Sequence, residues 1–247
     1  MIMNNRQPVI EMSNITFAYA NQGLVILENL DFTLFAGDRI GLLAPNGSGK
    51  TTFFHVIMGL LKPSTGWIRF HGQLLRGEND FTRLRRRVGL LFQDADDQLF
   101  CPTVLEDVAF GPLNMGKSRQ EAIAIARRTL AFLGLSRHED RVTFQMSGGE
   151  KRLVSLAAVL AMEPEVLLLD EPLSGLDIQT RHILRDVLAA IDLTYVIISH
   201  EMDFLTAVTT GMVTLERGRI VPETRIHYHR HDHAHPYGDK PHRHDHE

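Results

Sequence analysis

Ala44-Pro45-Asn46-Gly47-Ser48-Gly49-Lys50-Thr51 stands between a short apolar run, Arg39 to Leu43, and a stretch of helical spacing, Lys50 to Met58, that closes at Gly59 and Pro63. A loop of small residues joining a strand to a helix lets successive backbone N–H groups turn inward around phosphate, and the helix N-terminus adds partial positive charge. On this reading Asn46, Gly47, Ser48 and Gly49 line the phosphates and Lys50 reaches the β- and γ-phosphates. The Thr51 hydroxyl ligates Mg²⁺, and Thr52 borders the same nucleotide. The stretch departs from the G-x-x-x-x-G-K-[ST] pattern at its first position, where Ala44 stands for glycine. Alanine fits there only with negative φ, because a Cβ penalises the left-handed region.

Two other stretches bear on phosphate. Val166-Leu167-Leu168-Leu169-Asp170-Glu171 is a buried strand ending in two carboxylates. Asp170 is placed to hold Mg²⁺, directly or through water, and Glu171 to polarise an attacking water. An acidic pair also ends strands with no ligand at all, so the pair gains its meaning from the phosphate loop upstream. Ser147-Gly148-Gly149-Glu150-Lys151-Arg152 precedes the helical run Leu153 to Leu160. A capping box accounts for Ser147 with Glu150. It does not account for Gly148 and Gly149, which cost a helix about 1 kcal/mol each and expose backbone donors to an anion.

Around these signals the chain alternates strands and helices. Ile10 to Tyr19, Leu27 to Leu34, Trp67 to Phe70, Val88 to Phe92, Thr194 to Ser199, Met212 to Leu215 and Arg219 to Val221 read as strands. Gln120 to Leu133, Glu150 to Leu160 and Ile178 to Ala190 read as helices. Dense β-branched runs between helices imply an α/β protein whose parallel sheet is covered on both faces. The helical block between Thr103 and Met162 reads as an insertion, and apolar periodicity stops beyond about Pro222.

Composition sets bounds. The hydrophobic fraction of 44% and charged fraction of 23% are those of a globular chain, and a net charge of −4 offers no basic footprint for nucleic acid. No apolar run is long enough to span a bilayer, so membrane association is expected to come through a partner. The single cysteine, Cys101, has no neighbouring His and reads as a small packing residue. Eight of the 13 histidines lie in residues 227–247.

The motif Ser147-Gly148-Gly149-Glu150 resembles the signature of ABC ATPases, and the resemblance extends over about Val9 to Val221. Tyr19 is similar to the aromatic residue that stacks on adenine in that family. Gln93 resembles the glutamine linking Mg²⁺ and water to the helical subdomain, and Ser174-Gly175-Leu176-Asp177 the loop that passes between subunits. His200 resembles the switch histidine at the γ-phosphate. The resemblance implies a P-loop NTPase of the ABC ATPase type: a mixed-sheet core, an N-terminal antiparallel β-subdomain and a helical subdomain inserted at about 94–162, together spanning 1–222. It implies that Lys50, Gln93, Glu171 and His200 serve hydrolysis of ATP with Mg²⁺ held by Thr51, Gln93 and Asp170. It further implies a head-to-tail dimer, of this chain or with a related ATPase, in which Ser147, Gly148, Gly149, Glu150 and Asp177 serve the opposite nucleotide.

Leu91-Phe92-Gln93-Asp94-Ala95-Asp96-Asp97-Gln98-Leu99-Phe100 and Glu106 to Pro112 resemble the energy-coupling-factor importers, above all their cobalt and nickel members of the CbiO and NikO type. That resemblance implies a peripheral motor at the cytoplasmic face of the membrane. Its partners would be an integral coupling subunit, docked near Gln93 to Pro112, and a substrate-binding membrane subunit. The segment 223–247 supports a metal: His227, His229, His231, His233 and His235 alternate with other residues, and His242, His244 and His246 repeat the spacing. Neutral imidazoles suit Ni²⁺, Co²⁺, Cu²⁺ and Zn²⁺. A featureless tail or a purification tag would also be histidine-rich, although tags are usually uninterrupted. Vitamin importers, exporters and non-transport ABC ATPases share the core motifs; a chaperone GTPase would need an Asn-Lys-x-Asp element that is absent.

Overall fold

The structure, a computed structural model, describes residues 6–20, 23–45 and 47–222. Alternation of apolar and polar residues builds the first layer. β1 (Pro8–Ala18) pairs antiparallel with β2 (Val25–Phe35) on one side and with β4 (Thr65–Phe70) on the other; β5 (Gln73–Leu74) completes a four-stranded sheet. Ile10, Met12, Ile15 and Phe17 of β1 meet Leu27, Leu30, Phe32 and Leu34 of β2 on the buried face. A bulge between Met12 and Ile15 puts Asn14 at φ 52, a conformation asparagine tolerates, and its N–H donates to Asp31 Oδ1 at 2.9 Å.

The second layer is a six-stranded sheet of order β10-β9-β3-β8-β7-β6. It comprises β3 (Arg39–Leu43), β6 (Val88–Leu91), β7 (Val166–Asp170), β8 (Thr194–Ile198), β9 (Gly211–Glu216) and β10 (Arg219–Pro222). Every residue of β6, β7 and β8 is buried, as expected where helices or a second sheet cover both faces. Leu167 and Leu169 face one core with Tyr195 and Ile197, while Val166 and Leu168 face the other with Val196 and Ile198. The sheet is parallel except at β10, which returns antiparallel along β9. Arg217 (φ 49) and Gly218 (φ 73) make that tight turn with left-handed backbone at both positions.

Seven α-helices cover these layers among the described residues. They are α1 (Lys50–Ile57), α2 (Glu78–Arg85), α3 (Val104–Asn114), α4 (Arg119–Phe132), α5 (Gly148–Leu160), α6 (Ile178–Ala190) and α7 (Met202–Val208). Thr103 with Glu106, Ser118 with Glu121 and Ser147 with Glu150 form reciprocal capping boxes that start α3, α4 and α5. Helix α2 has no counterpart in the sequence reading. Only its Leu84 is buried, so the apolar period is missing, and the acidic first turn and basic last turn carry the signal instead. No described helix is long and apolar enough to cross a membrane. The histidines from His227 to His246 lie outside the described residues, as does Asn46.

Candidate nucleotide site

The loop between β3 and α1 folds as its residues require. Ala44 is buried and is not among the residues of positive φ, so alanine is accommodated at the first loop position. Gly49 has φ 96, and a Cβ there would lie 2.6 Å from Ile26 Cγ2, so both conformation and space demand glycine. Lys50 opens α1, is buried, and its ammonium pairs with Glu171 Oε1. Next to it, Thr51 Oγ1 donates to Asp170 Oδ2 at 2.7 Å. Thr52 Oγ1 lies 3.2 Å from the Tyr19 hydroxyl, and the Tyr19 ring stands edge-on to Phe17 with centroids 4.9 Å apart.

The ends of β7 and β8 supply the opposing groups. Asp170 is 2% exposed, and burial pushes its carboxyl above the usual carboxylate range, against the pull of Thr51 and Lys50. Glu171 follows at φ 44, a left-handed conformation unusual for a side chain of this size, held by its N–H donating to the Ile198 carbonyl at 3.0 Å. His200, two residues past β8, puts Nδ1 3.0 Å from Glu171 Oε2. The Glu171 carboxylate therefore touches Lys50 and His200 at once. Gln93 falls two residues past β6, which ends at Leu91 rather than Phe92, and lines a cavity of about 550 Å³ together with Thr51, Asp170 and Gly148.

Two buried side-chain oxygens in this cluster have no hydrogen-bond partner among the described residues: Ser48 Oγ and Asp170 Oδ1. Buried polar atoms are rarely left unpaired, so both oxygens have bonding capacity to spare for water, an ion or a ligand. A hydroxyl in the phosphate-type loop and a carboxylate oxygen beside the Thr51 hydroxyl are groups of the kind that suit a Mg²⁺–nucleotide complex.

The remaining predicted residues lie at the start of α5 and α6. Ser147 Oγ accepts from the Glu150 N–H at 3.3 Å, Glu150 Oε2 accepts from the Ser147 N–H at 2.8 Å, and Glu150 Oε1 pairs with Arg141 at 2.6 Å. The Ser147 N–H and Arg141 together hold the Glu150 carboxyl below its usual range. Asp177 caps α6, accepting from the Thr180 N–H at 3.0 Å. The capping box is thus present in full, and it explains Ser147 and Glu150 locally. Gly149 has its own packing reason, since a Cβ would lie 2.9 Å from Thr180 Oγ1. Gly148 has none: among the described residues, nothing beyond its chain neighbours and its own helix backbone comes within 4 Å of the position its Cβ would take. Its backbone is exposed at the start of α5.

Sequence reasoning assigned no role to Arg152, although the residue was in the motif. It is 3% exposed and donates to the carbonyls of Phe92, Gln93 and Glu171. Sequence carries no signal for those bonds, because all three acceptors are main-chain atoms.

Comparison with known proteins agrees with this geometry. The profile of the ABC transporter family matches residues 27–174. An ABC transporter ATP-binding protein of Nitratidesulfovibrio vulgaris is 48% identical over 96% of this chain and 86% of its own length. A cobalt import ATP-binding protein, CbiO, of Rhodobacter capsulatus is 40% identical over 87% of this chain and 78% of its own. The solved structure of cbiO1 from Clostridium perfringens, described as part of the ABC transporter complex cbiONQ, superposes with a TM-score of 0.78 at 30% identity, covering 87% of each chain. ABC ATPases act as dimers with membrane partners. With the phosphate loop, the Asp170–Glu171 strand end and the family profile all in register, this chain belongs to the ABC transporter ATP-binding family, whose reaction is ATP hydrolysis.

Proposed function

We propose that this chain is the motor subunit of a nickel or cobalt importer of the energy-coupling-factor type. The observation that carries the proposal is its 40% identity, across nearly its whole length, to a protein named for cobalt import. Two features support it. The histidines His227 to His246 alternate with other residues in a way that lets several neutral imidazoles reach one transition-metal ion. Phe100 is 65% and Phe110 43% exposed, with ring centroids 4.7 Å apart, on the surface assigned to the membrane coupling subunit. In this reading residues 1–222 form the ATPase, with a helical subdomain at about 94–162, and 223–247 form a metal-binding tail.

The residues divide the chemistry of phosphoryl transfer to water, which needs positioning and charge neutralisation more than covalent steps. Thr51, Asp170 and Gln93 would hold Mg²⁺, which when bound offsets charge on the phosphate oxygens. Lys50 and His200 both contact Glu171 in the structure. A bound triphosphate offers each of them a more highly charged anionic partner, which releases the Glu171 carboxylate to orient and deprotonate water. Tyr19 stacks on adenine. Ser147 and the free N–H groups of the first α5 turn serve a nucleotide on the partner chain, so closure of the dimer around two ATP molecules completes both sites, and hydrolysis releases it.

The test is uptake of radioactive Ni²⁺, Co²⁺ and a vitamin in cells carrying the parent chain or Glu171→Gln. The proposal expects uptake of one of the metals to collapse in the variant and vitamin uptake to stay level. Unchanged uptake of both metals would sink it.

A further inference from the structure

Helix α5 grips the segment after β6 at three points. Lys151 Nζ pairs with Asp96 Oδ1 at 2.6 Å. Gln98 donates to the Ser155 carbonyl at 3.2 Å while accepting from the Phe92 N–H at 3.3 Å. Between them, the Arg152 guanidinium donates to the carbonyls of Phe92 and Gln93 and, at 3.3 Å, to that of Glu171.

A buried cation is costly to keep unless its donors are satisfied. Arg152 is 3% exposed and its hydrogen-bond acceptors among the described residues are carbonyls rather than carboxylates; burial pulls its pKa down, partly offset by the charges of Asp94 and Asp170. Packing alone would be served better by an apolar side chain of the same volume. What the charge adds is a planar fork whose two nitrogens span three carbonyls on two separate elements in fixed geometry, where an ammonium has its donors on a single nitrogen. One of those carbonyls belongs to Glu171, whose left-handed backbone at φ 44 needs external support. Another belongs to Gln93.

We propose that Arg152 is a positioning residue for ATP hydrolysis: it fixes the backbone of Glu171 and Gln93 against α5. The helix whose N-terminus presents Gly148 outward thereby also sets the water-handling groups of its own chain. The inference rests on the roles proposed above for Glu171 and Gln93. Of the three grips on α5, only Arg152 also reaches the Glu171 carbonyl, so a tilt of α5 on dimer closure is carried to Glu171 through this side chain.

The experiment uses the full chain as Arg152→Lys, Arg152→Gln and, separately, Glu171→Gln. Thermal stability, the number and Kd of ATP sites titrated with a fluorescent ATP analogue, and kcat are measured for each. Misplacement of Glu171 by about an ångström predicts a fall in kcat of about tenfold for Arg152→Lys and about a hundredfold for Arg152→Gln, with site number and Kd kept. A kcat within about fivefold of the parent, or a loss explained entirely by fewer or weaker ATP sites, overturns the proposal. Should Arg152→Gln unfold, Arg152→Lys decides alone on the same threshold. Turnover retained in Glu171→Gln overturns the reading of Glu171 and this proposal with it. Turnover lost there but kept in the Arg152 variants overturns this proposal only.

Discussion

Replacing each signature glycine by alanine separates what the fold needs from what the shared site needs. At Gly149 a Cβ would lie 2.9 Å from Thr180 Oγ1 and 3.2 Å from Asp177 Oδ2. The methyl group must displace the Asp177–Thr180 cap, worth about 1 kcal/mol, and overpack its surroundings at about 1–3 kcal/mol. Removal of a helical glycine returns at most about 1 kcal/mol, so Gly149→Ala is expected to lose about 1–3 kcal/mol net. At Gly148, among the described residues, nothing beyond its chain neighbours and its own helix backbone lies within 4 Å and φ is not positive, so only the helix gain remains, and Gly148→Ala should be as stable as the parent or slightly more so. Yet the Glu150 N–H is taken by Ser147 Oγ and the Lys151 N–H by the Ser147 carbonyl, which leaves the N–H groups of Gly148 and Gly149 without acceptors among the described residues. A methyl group at Gly148 holds a partner's phosphate off those donors, and loss of one such donor costs about a hundredfold or more in kcat. Calorimetry and steady-state ATPase assays on both variants measure the two effects. Gly148→Ala that is stable and still turns over at the parent rate would refute the reasoning, because nothing would then approach that backbone.

Further outcomes follow from charge and chemistry. Glu150→Gln keeps the capping geometry but loses the charged contact to Arg141, at a cost below about 1 kcal/mol. Since the folded Glu150 carboxyl is held low, the parent's advantage in melting temperature should be present at pH 7 and fade as pH falls through the carboxylate range; a pH-independent difference would contradict this. Burial and the neighbouring Asp107 push the Cys101 thiol up to about 11, so at pH 7 to 9 it stays protonated. Iodoacetamide should label the native chain far more slowly than the urea-unfolded chain, and equal rates would contradict the packing reading. Truncation before His227 should leave ATPase turnover intact and abolish Ni²⁺ binding in calorimetry. In the full chain that binding should weaken as pH falls below about 6.5, where imidazoles protonate. Ni²⁺ binding that survives the truncation would remove the tail from the account.

Much of this was legible because the signals are local. The strand Arg39–Leu43 and the helix Ile178–Ala190 have the bounds that their apolar spacing suggests, since each is bracketed by turn residues or a cap. Lys50, Asp170, Glu171 and His200 meet because parallel strands end on one edge of the sheet, so residues far apart in sequence but alike in strand position converge. Helix α2 stayed hidden because it buries a single leucine. The left-handed backbone of Glu171 and the Arg152 bonds were also beyond sequence reading, as both depend on main-chain atoms brought together only by tertiary packing.

The central claim is that each ATP is hydrolysed between two chains, and mixing two inactive variants tests it most directly. Lys50→Ala disables the phosphate loop of its own chain, and Ser147→Arg disables the signature that faces the partner. In a mixed dimer one site combines both defects and the other has neither. The account predicts that each variant alone is inactive, and that an equimolar mixture regains about a quarter of parent turnover if dimers form at random and sites act independently. A mixture as inactive as its components would contradict the shared site.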